Sequence, residues 1–396
     1  MPSVSPSVSY VPSLVPTITS SPSASLRPSS APTLSSRWQL LGSINSSFSD
    51  GEKGSSVHLS SDGGIVAIGD NGNKSAAVYI LERTTSPPKV SFSQIGSTLF
   101  VPPPTSTSGA LYVAMNNNGN VIAISDHRRD SNRGYVAVYR RLQNNWELDR
   151  EFYGTFANNY IGYRLDISGA GDKICFTWDD QNGEGLASVY GFEEGQWYLI
   201  GGNITTTGSG FGSSIAMSDD GNYVAIGASS GRFTEVWRLL ESFVRVSRLE
   251  NTIVGSRFGS SVALTSNGRA LAVGAYGINN DQGAVYVYTF NRIDYVQKGE
   301  RIDGIGDFPL HGWSVDLSAD GNIVAIGGDY CCGYSSTVVV RWDGEVWSQR
   351  GQSLPGDTWS SVSLSANGNT LAVGQPDLSP NGTVSIYDFF EATTSD

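Results

Sequence analysis

A glycine recurs seven times along this chain, at Gly63, Gly119, Gly171, Gly221, Gly268, Gly321 and Gly368, with spacings of 56, 52, 50, 47, 53 and 47 residues. Six of the seven follow Asp or Asn. A period of about 50 residues means that one supersecondary unit is repeated, which overrides any division of the chain into two or three ordinary domains. The clearest copy, Arg257 to Tyr288, reads RFGSSVALTSNGRALAVGAYGINNDQGAVYVY. SSVALT alternates apolar and small residues, Asn267-Gly268 is the dipeptide expected of a tight two-residue hairpin, and ALAVGA and GAVYVY follow as β-branched and aromatic runs. No helical period interrupts them.

The register around the glycines repeats as well. Four residues before each one stands Leu59, Met115, Ile167, Met217, Leu264, Leu317 or Leu364, and six before it Val57, Val113, Leu165, Ile215, Val262, Val315 or Val362. One face of the first strand is therefore apolar in every repeat and must pack on a neighbouring repeat. Four residues after the glycine the side chain is always small: Ala67, Ala123, Cys175, Ala225, Ala272, Ala325 or Ala372. Cys175 thus reads as a packing residue. A third strand follows, and then a fourth opened by an aromatic: Phe92, Trp146, Trp197, Phe243, Tyr295 or Trp347. Four short strands per repeat and seven repeats define an all-β, seven-bladed β-propeller with four antiparallel strands per blade. The last repeat has no aromatic of its own after its third strand. WQLLG at Trp38 lies 25 residues before Gly63, the offset of its counterparts, so the N-terminal strand around Trp38 is expected to complete the last blade and close the ring. Closure removes exposed strand edges.

Two segments are expected: residues 1–36 as a Ser/Thr/Pro-rich tail or stalk and 37–396 as the propeller. The first contains 13 Ser, 3 Thr and 7 Pro with Arg27 as its one charge. Such a stretch has too little apolar surface to offset its ordering entropy, and reads as disordered. Formal net charge is -12, which argues against a nucleic-acid partner. No apolar run reaches the ~20 residues of a membrane-spanning helix, and MPSVSPSVSY lacks the pattern of a signal peptide. Three cysteines build no disulfide framework. Cys331-Cys332 read most simply as free loop thiols. The sequons at Asn45, Asn73, Asn203 and Asn381 matter only in a secreted chain.

Phe258-Gly259, Gly274-Ala275 and the run Gly283 to Tyr288, with Phe211-Gly212 and Gly227-Ala228 as a second copy, resemble the FG-GAP repeat, the propeller module of integrin α-subunits and many extracellular proteins. Gly54, Gly162 and Gly312 keep the glycine without the phenylalanine, and the second and seventh blades lose both. The resemblance spans about Arg37 to Phe390. It implies an extracellular or cell-surface adhesion module, and calcium bound in the loop between first and second strands. Ca²⁺ takes six to eight oxygen ligands, whereas these loops, such as SSDGG, SDDGN and SADGN, offer at most two carboxylates. No metal and no cofactor are expected.

Loops joining second to third strands, and fourth to first, share one face of a propeller, and here they vary most. Recognition residues sit on such loops. Asp126, Trp178, Asp179, Tyr276, Asp281, Asp329 and Tyr330 form the candidate ligand-binding set, pairing carboxylate acceptors with flat rings that suit a sugar or a polar peptide. Ordinary solvated loops are the competing reading. Along the axis, five residues before each glycine, lie His58, Asp166, Asp316 and Ser363, with Arg164 two residues ahead of Asp166. These either hold a small ligand or satisfy one another. Gly227-Ala228-Ser229-Ser230-Gly231 fits a nucleophile motif in letters, but a strand follows it where a helix is required. His58, His127 and His311 have no metal-ligand spacing. The sequence therefore leans to a non-enzymatic, monomeric module that binds a glycan or protein partner through its acidic, aromatic-bearing loop face. The alternatives are a polysaccharide-active lyase or hydrolase using the axial acids, discriminated by whether Asp166, Asp316 and Arg164 gather round one open pocket, and a purely structural scaffold.

Overall fold

A computed structural model of the chain describes residues 36–45, 52–71, 76–86, 89–101, 111–182, 184–207, 209–304, 310–328, 336–356, 359–377 and 382–392. The Ser/Thr/Pro-rich segment, Asp329, Tyr330, Cys331 and Cys332 lie outside them. Among the described residues there are seven antiparallel sheets, six with their four main strands in sequential order and the seventh made of the last three such strands and the N-terminal one, and an irregular helical turn at Arg129–Asn132 interrupts them. Blades 1 to 7 take their first strands from Glu52–Leu59, Leu111–Met115, Leu165–Ile167, Phe211–Met217, Val262–Leu264, Ser314–Leu317 and Ser361–Leu364. These first strands touch one another round a complete circle and so line the axis. Seven apolar clusters fill the seven interfaces between neighbouring blades. The small residue four after each glycine is fully buried in every blade, Cys175 included. Burial pushes the Cys175 thiol well above its usual range.

Blade 7 is closed by Arg37–Asn45, which pairs antiparallel with Thr383–Phe390, Trp38 opposite Phe389. The Trp38 ring is buried, and its Nε1 donates to the Arg350 carbonyl of blade 6 at 2.8 Å. The same lock recurs elsewhere: Trp146 Nε1 donates to the Ile95 carbonyl (3.0 Å) and Trp347 Nε1 to the Lys298 carbonyl (2.8 Å), each in the preceding blade. In these preceding blades the fourth strand breaks at a glycine of positive φ, Gly96, Gly299 or Gly351. A Cβ there would meet the incoming indole at 2.9 to 3.3 Å, or at Gly299 the Trp342 ring at 2.4 Å. The aromatic that opens each fourth strand thus pins one blade to the previous one.

The glycine hairpins differ from the two-residue turn expected. Thr265 N donates to the Ala270 carbonyl and Gly268 N to the Thr265 carbonyl, so four residues form the loop and Gly268 alone in it takes positive φ. What holds it is a side-chain cap. The Thr265 hydroxyl donates to Asn267 Oδ1 and accepts from Ala270 N, and Asn267 Oδ1 accepts from Arg269 N. Ser60 with Asp62, Ser218 with Asp220, Ser318 with Asp320 and Ser365 with Asn367 repeat the arrangement. Asp and Asn precede the glycine because they cap this loop. The loops also join blades, through backbone bonds from Ser61 to Asn117, Asn117 to Gly169, Gly169 to Asp219, Asp219 to Ser266, Ala319 to Ala366 and Ala366 to Ser61. The axis is thereby cinched at the hairpin face.

Candidate functional site

Nine residues before the repeated glycine, on the opposite face, stand Gly54, Gly162, Gly212, Gly259 and Gly312, all at positive φ between 78 and 95°. Each turns its carbonyl toward a hydroxyl of the preceding blade: Gly54 accepts from Ser361, Gly162 from Ser125, Gly212 from Thr177, Gly259 from Ser214 and Gly312 from Ser261, at 2.7 to 3.0 Å. A Cβ on Gly259 would sit 2.5 Å from the Phe233 carbonyl oxygen, which is why glycine is required. The phenylalanine of the Phe-Gly pair is a core residue, with Phe211 and Phe258 buried; Lys53 and His311 are buried at the corresponding positions of blades 1 and 6.

These contacts draw the first strands into a funnel of about 430 Å³ that opens on the variable-loop face and is lined by residues of all seven blades. Its wall has two kinds of surface. Serines form one: Ser214, Ser261 and Ser361 give their single proton to the neighbouring glycine carbonyl, so toward any further partner their hydroxyls are acceptors. Rings form the other. Tyr276 packs on Trp313 with centroids 5.1 Å apart. Trp359, 49% exposed, stands where five blades have the positive-φ glycine and itself has φ 56°. A bulky residue held in that region is strained, and such strain gathers at binding sites. Opposite in character is Arg164, half-buried, its guanidinium carbon 4.4 Å from the Tyr112 ring centroid and 4.6 Å from that of Tyr163, with Nη1 donating to the Tyr163 carbonyl at 2.8 Å. Glu52 lies on the blade 1 wall; burial, and then the charge of Asp377, raise its pKa.

Deeper on the axis, His58, Asp166, Asp316 and Ser363 act as clips between first strands. His58 Nδ1 accepts from Met115 N (3.3 Å), and Ser363 Oγ from Leu59 N (3.0 Å). Asp166 accepts from Ile167 N and Met217 N at 2.8 and 2.7 Å, and Asp316 from Leu317 N and Leu364 N at 2.8 and 2.6 Å. Each Asp follows a blade with alanine at this position, Ala114 or Ala263, and its second oxygen serves the N–H that alanine leaves without a side-chain acceptor. Burial raises Asp166 to about 7, against the pull of its two N–H donors and with help from the charge of Asp316. It raises Asp316 to about 6 and lowers His58 to about 4.

The candidate residues of the variable loops are not gathered in one place. Tyr276 lines the funnel. Asp126 is buried at the end of its strand, where Oδ1 accepts from Arg128 N. Trp178 lies on the second strand of blade 3, packs against the blade 2 to 3 core and donates from Nε1 to Ser188 Oγ at 2.8 Å. Asp179 follows it, half-buried, its pKa raised by burial and the neighbouring Asp180. Asp281 is exposed on the loop after Asn279. Loop composition alone passes over Trp313, Trp359, Tyr163 and Arg164; their signal is the register, seven to nine residues before a repeated glycine.

No family model matches the sequence, and no curated protein does. Solved structures do match in shape. The Cps50 (Swd1) β-propeller domain of Myceliophteria thermophila is 12% identical with a TM-score of 0.56 over 89% of this chain and 99% of that one. A candidate 6-phosphogluconolactonase of Bacteroides fragilis is 15% identical with a TM-score of 0.55 over 84% and 98%. Raptor of Chaetomium thermophilum gives 0.60 at 12% identity, over 90% of this chain and 29% of that one. Identities this low carry the architecture alone. The chain is a seven-bladed β-propeller, and among the described residues no helix is long and apolar enough to cross a membrane.

Proposed function

We propose that this propeller is a non-catalytic recognition module that binds a glycan or protein partner through its variable-loop face, with the axial funnel as the point of contact. The observation that carries the reading is the funnel itself, where every blade contributes to one concave site that combines packed aromatic rings with serine hydroxyls. The axial acids favour recognition over hydrolysis or elimination, since Asp166 and Asp316 each already accept two backbone N–H groups. An extracellular or cell-surface setting, monomeric and adhesive, accords with the Ser/Thr/Pro-rich segment and with the Phe-Gly and Gly-Ala pairs.

A glycan array and a surface-protein screen with the full chain test this reading. For the ligand found, Tyr276→Ala and Trp313→Ala are each expected to weaken binding by roughly 1 to 3 kcal/mol in calorimetry. Ile293→Ala, on the opposite face and 84% exposed, should change nothing. Trp178→Ala should lower stability more than affinity, because its ring packs in the core. Undiminished affinity in both funnel variants would remove the funnel as the site.

A further inference from the structure

We infer that the funnel receives the acidic end of a glycan, a terminal sugar whose carboxylate seats on Arg164. This deepens the reading above and rests on it. In a chain of net charge -12 several guanidinium groups have a carboxylate partner, as Arg245 and Arg248 have Glu235 and Arg140 has Asp149. Arg164 makes no ion pair among the described residues, and one of its five donors is used, on the Tyr163 carbonyl. Two tyrosine rings lie against it, which reduces the orientational entropy lost when an anion arrives. A fixed, half-buried guanidinium is a bidentate receptor for a planar carboxylate.

The rest of the wall defines what the carboxylate is attached to. The half-buried Ser261 and Ser361 offer acceptors, which match hydroxyl donors of a sugar. The Tyr276 and Trp313 pair and the exposed Trp359 offer faces for its C–H surface. Backbone bonds between the hairpin loops draw the blades together on the far side, so the funnel is approached from the variable-loop face. A single acidic residue at a chain end meets these conditions.

The test is calorimetry of the full chain with the methyl glycosides of glucuronic acid, N-acetylneuraminic acid and glucose, and with a short peptide bearing a free C-terminal carboxylate. One of the two acidic sugars is expected to bind at least about tenfold more tightly than the neutral one, as a charge-assisted pair should provide. Arg164→Gln should erase that preference, and added salt should narrow it in the native chain. Arg164→Lys should restore part of it, because charge returns without the fork. Equal affinity for acidic and neutral sugars, lost in Trp313→Ala, would overturn the acidic preference and leave the funnel as the site. Tighter binding of the peptide would overturn the sugar assignment. No binding of any probe, alongside a screened ligand indifferent to Trp313→Ala, would overturn both readings.

Discussion

At the scale of single residues, the axis is held by groups whose charge the fold opposes. Asp166 and Asp316 have native values above the ordinary carboxylate range, about 7 and about 6, so they contribute stability that is full below that range and is lost as pH rises through those values. His58, lowered to about 4, works the other way: its contribution is full above the ordinary imidazole value and is lost as pH falls through about 4. Between these limits the two effects oppose each other. In the double variant Asp166→Asn, Asp316→Asn the His58 effect should dominate, so urea midpoints should fall more steeply between about pH 7 and pH 4 than in the native chain. An unchanged pH profile would show that the carboxylates do not titrate in this window. The same scale explains the hairpins. Ser60, Ser218, Ser318 and Ser365 share their place with Thr265, Ser168 and Asn116 because each must accept the N–H five residues on, or four on as well at Asn116 and Ser168, and a hydroxyl or amide oxygen does so.

At the scale of strands, the ring depends on the piece that comes from far away in sequence. Trp38 bonds to blade 6 while its strand completes blade 7, and Arg350 stacks over Phe389 with its guanidinium carbon 3.8 Å from the centroid. Trp38→Ala is expected to cost about 3 to 5 kcal/mol in chemical denaturation, as large aromatic deletions from cores do. Removing residues 1–34 should leave the melting temperature where it was, whereas removing 1–44 should lower it by exposing two strand edges. Equal stability of the two truncations would contradict this role. Such closure was legible in the sequence because the offset of Trp38 from Gly63 matched its counterparts. Blade number, register and the buried small position were legible for the same reason, being periodic. The hairpin geometry was misread since Asn267-Gly268 is a short-range signal, and Thr265, two residues further back, decides the turn. The funnel was not legible either, because Arg164, Trp313 and Trp359 lie far apart in sequence and come to line one cavity once the circle closes.

At the scale of the molecule, the hairpin face is saturated by its own contacts. Asp62, Asp220 and Asp320 turn inward to accept from a serine hydroxyl and from the backbone N–H two residues on. A cation would have to displace these bonds. Melting curves in EDTA and in millimolar Ca²⁺ are therefore expected to superimpose, since a ligand of the native state alone would raise the transition by mass action; an upward shift would place calcium on other loops. Closure by a distant strand has one further consequence. Arg37 pairs with Phe390, and Ser36 Oγ accepts from Ala392 N at 3.0 Å, so the polypeptide enters and leaves the ring side by side at the same end of one strand pair. Tension applied between those two points pulls across the ladder and parts its hydrogen bonds singly, from Arg37 inward, whereas a load along the strands would have to shear them together. Under traction the seventh blade is the clasp that opens first.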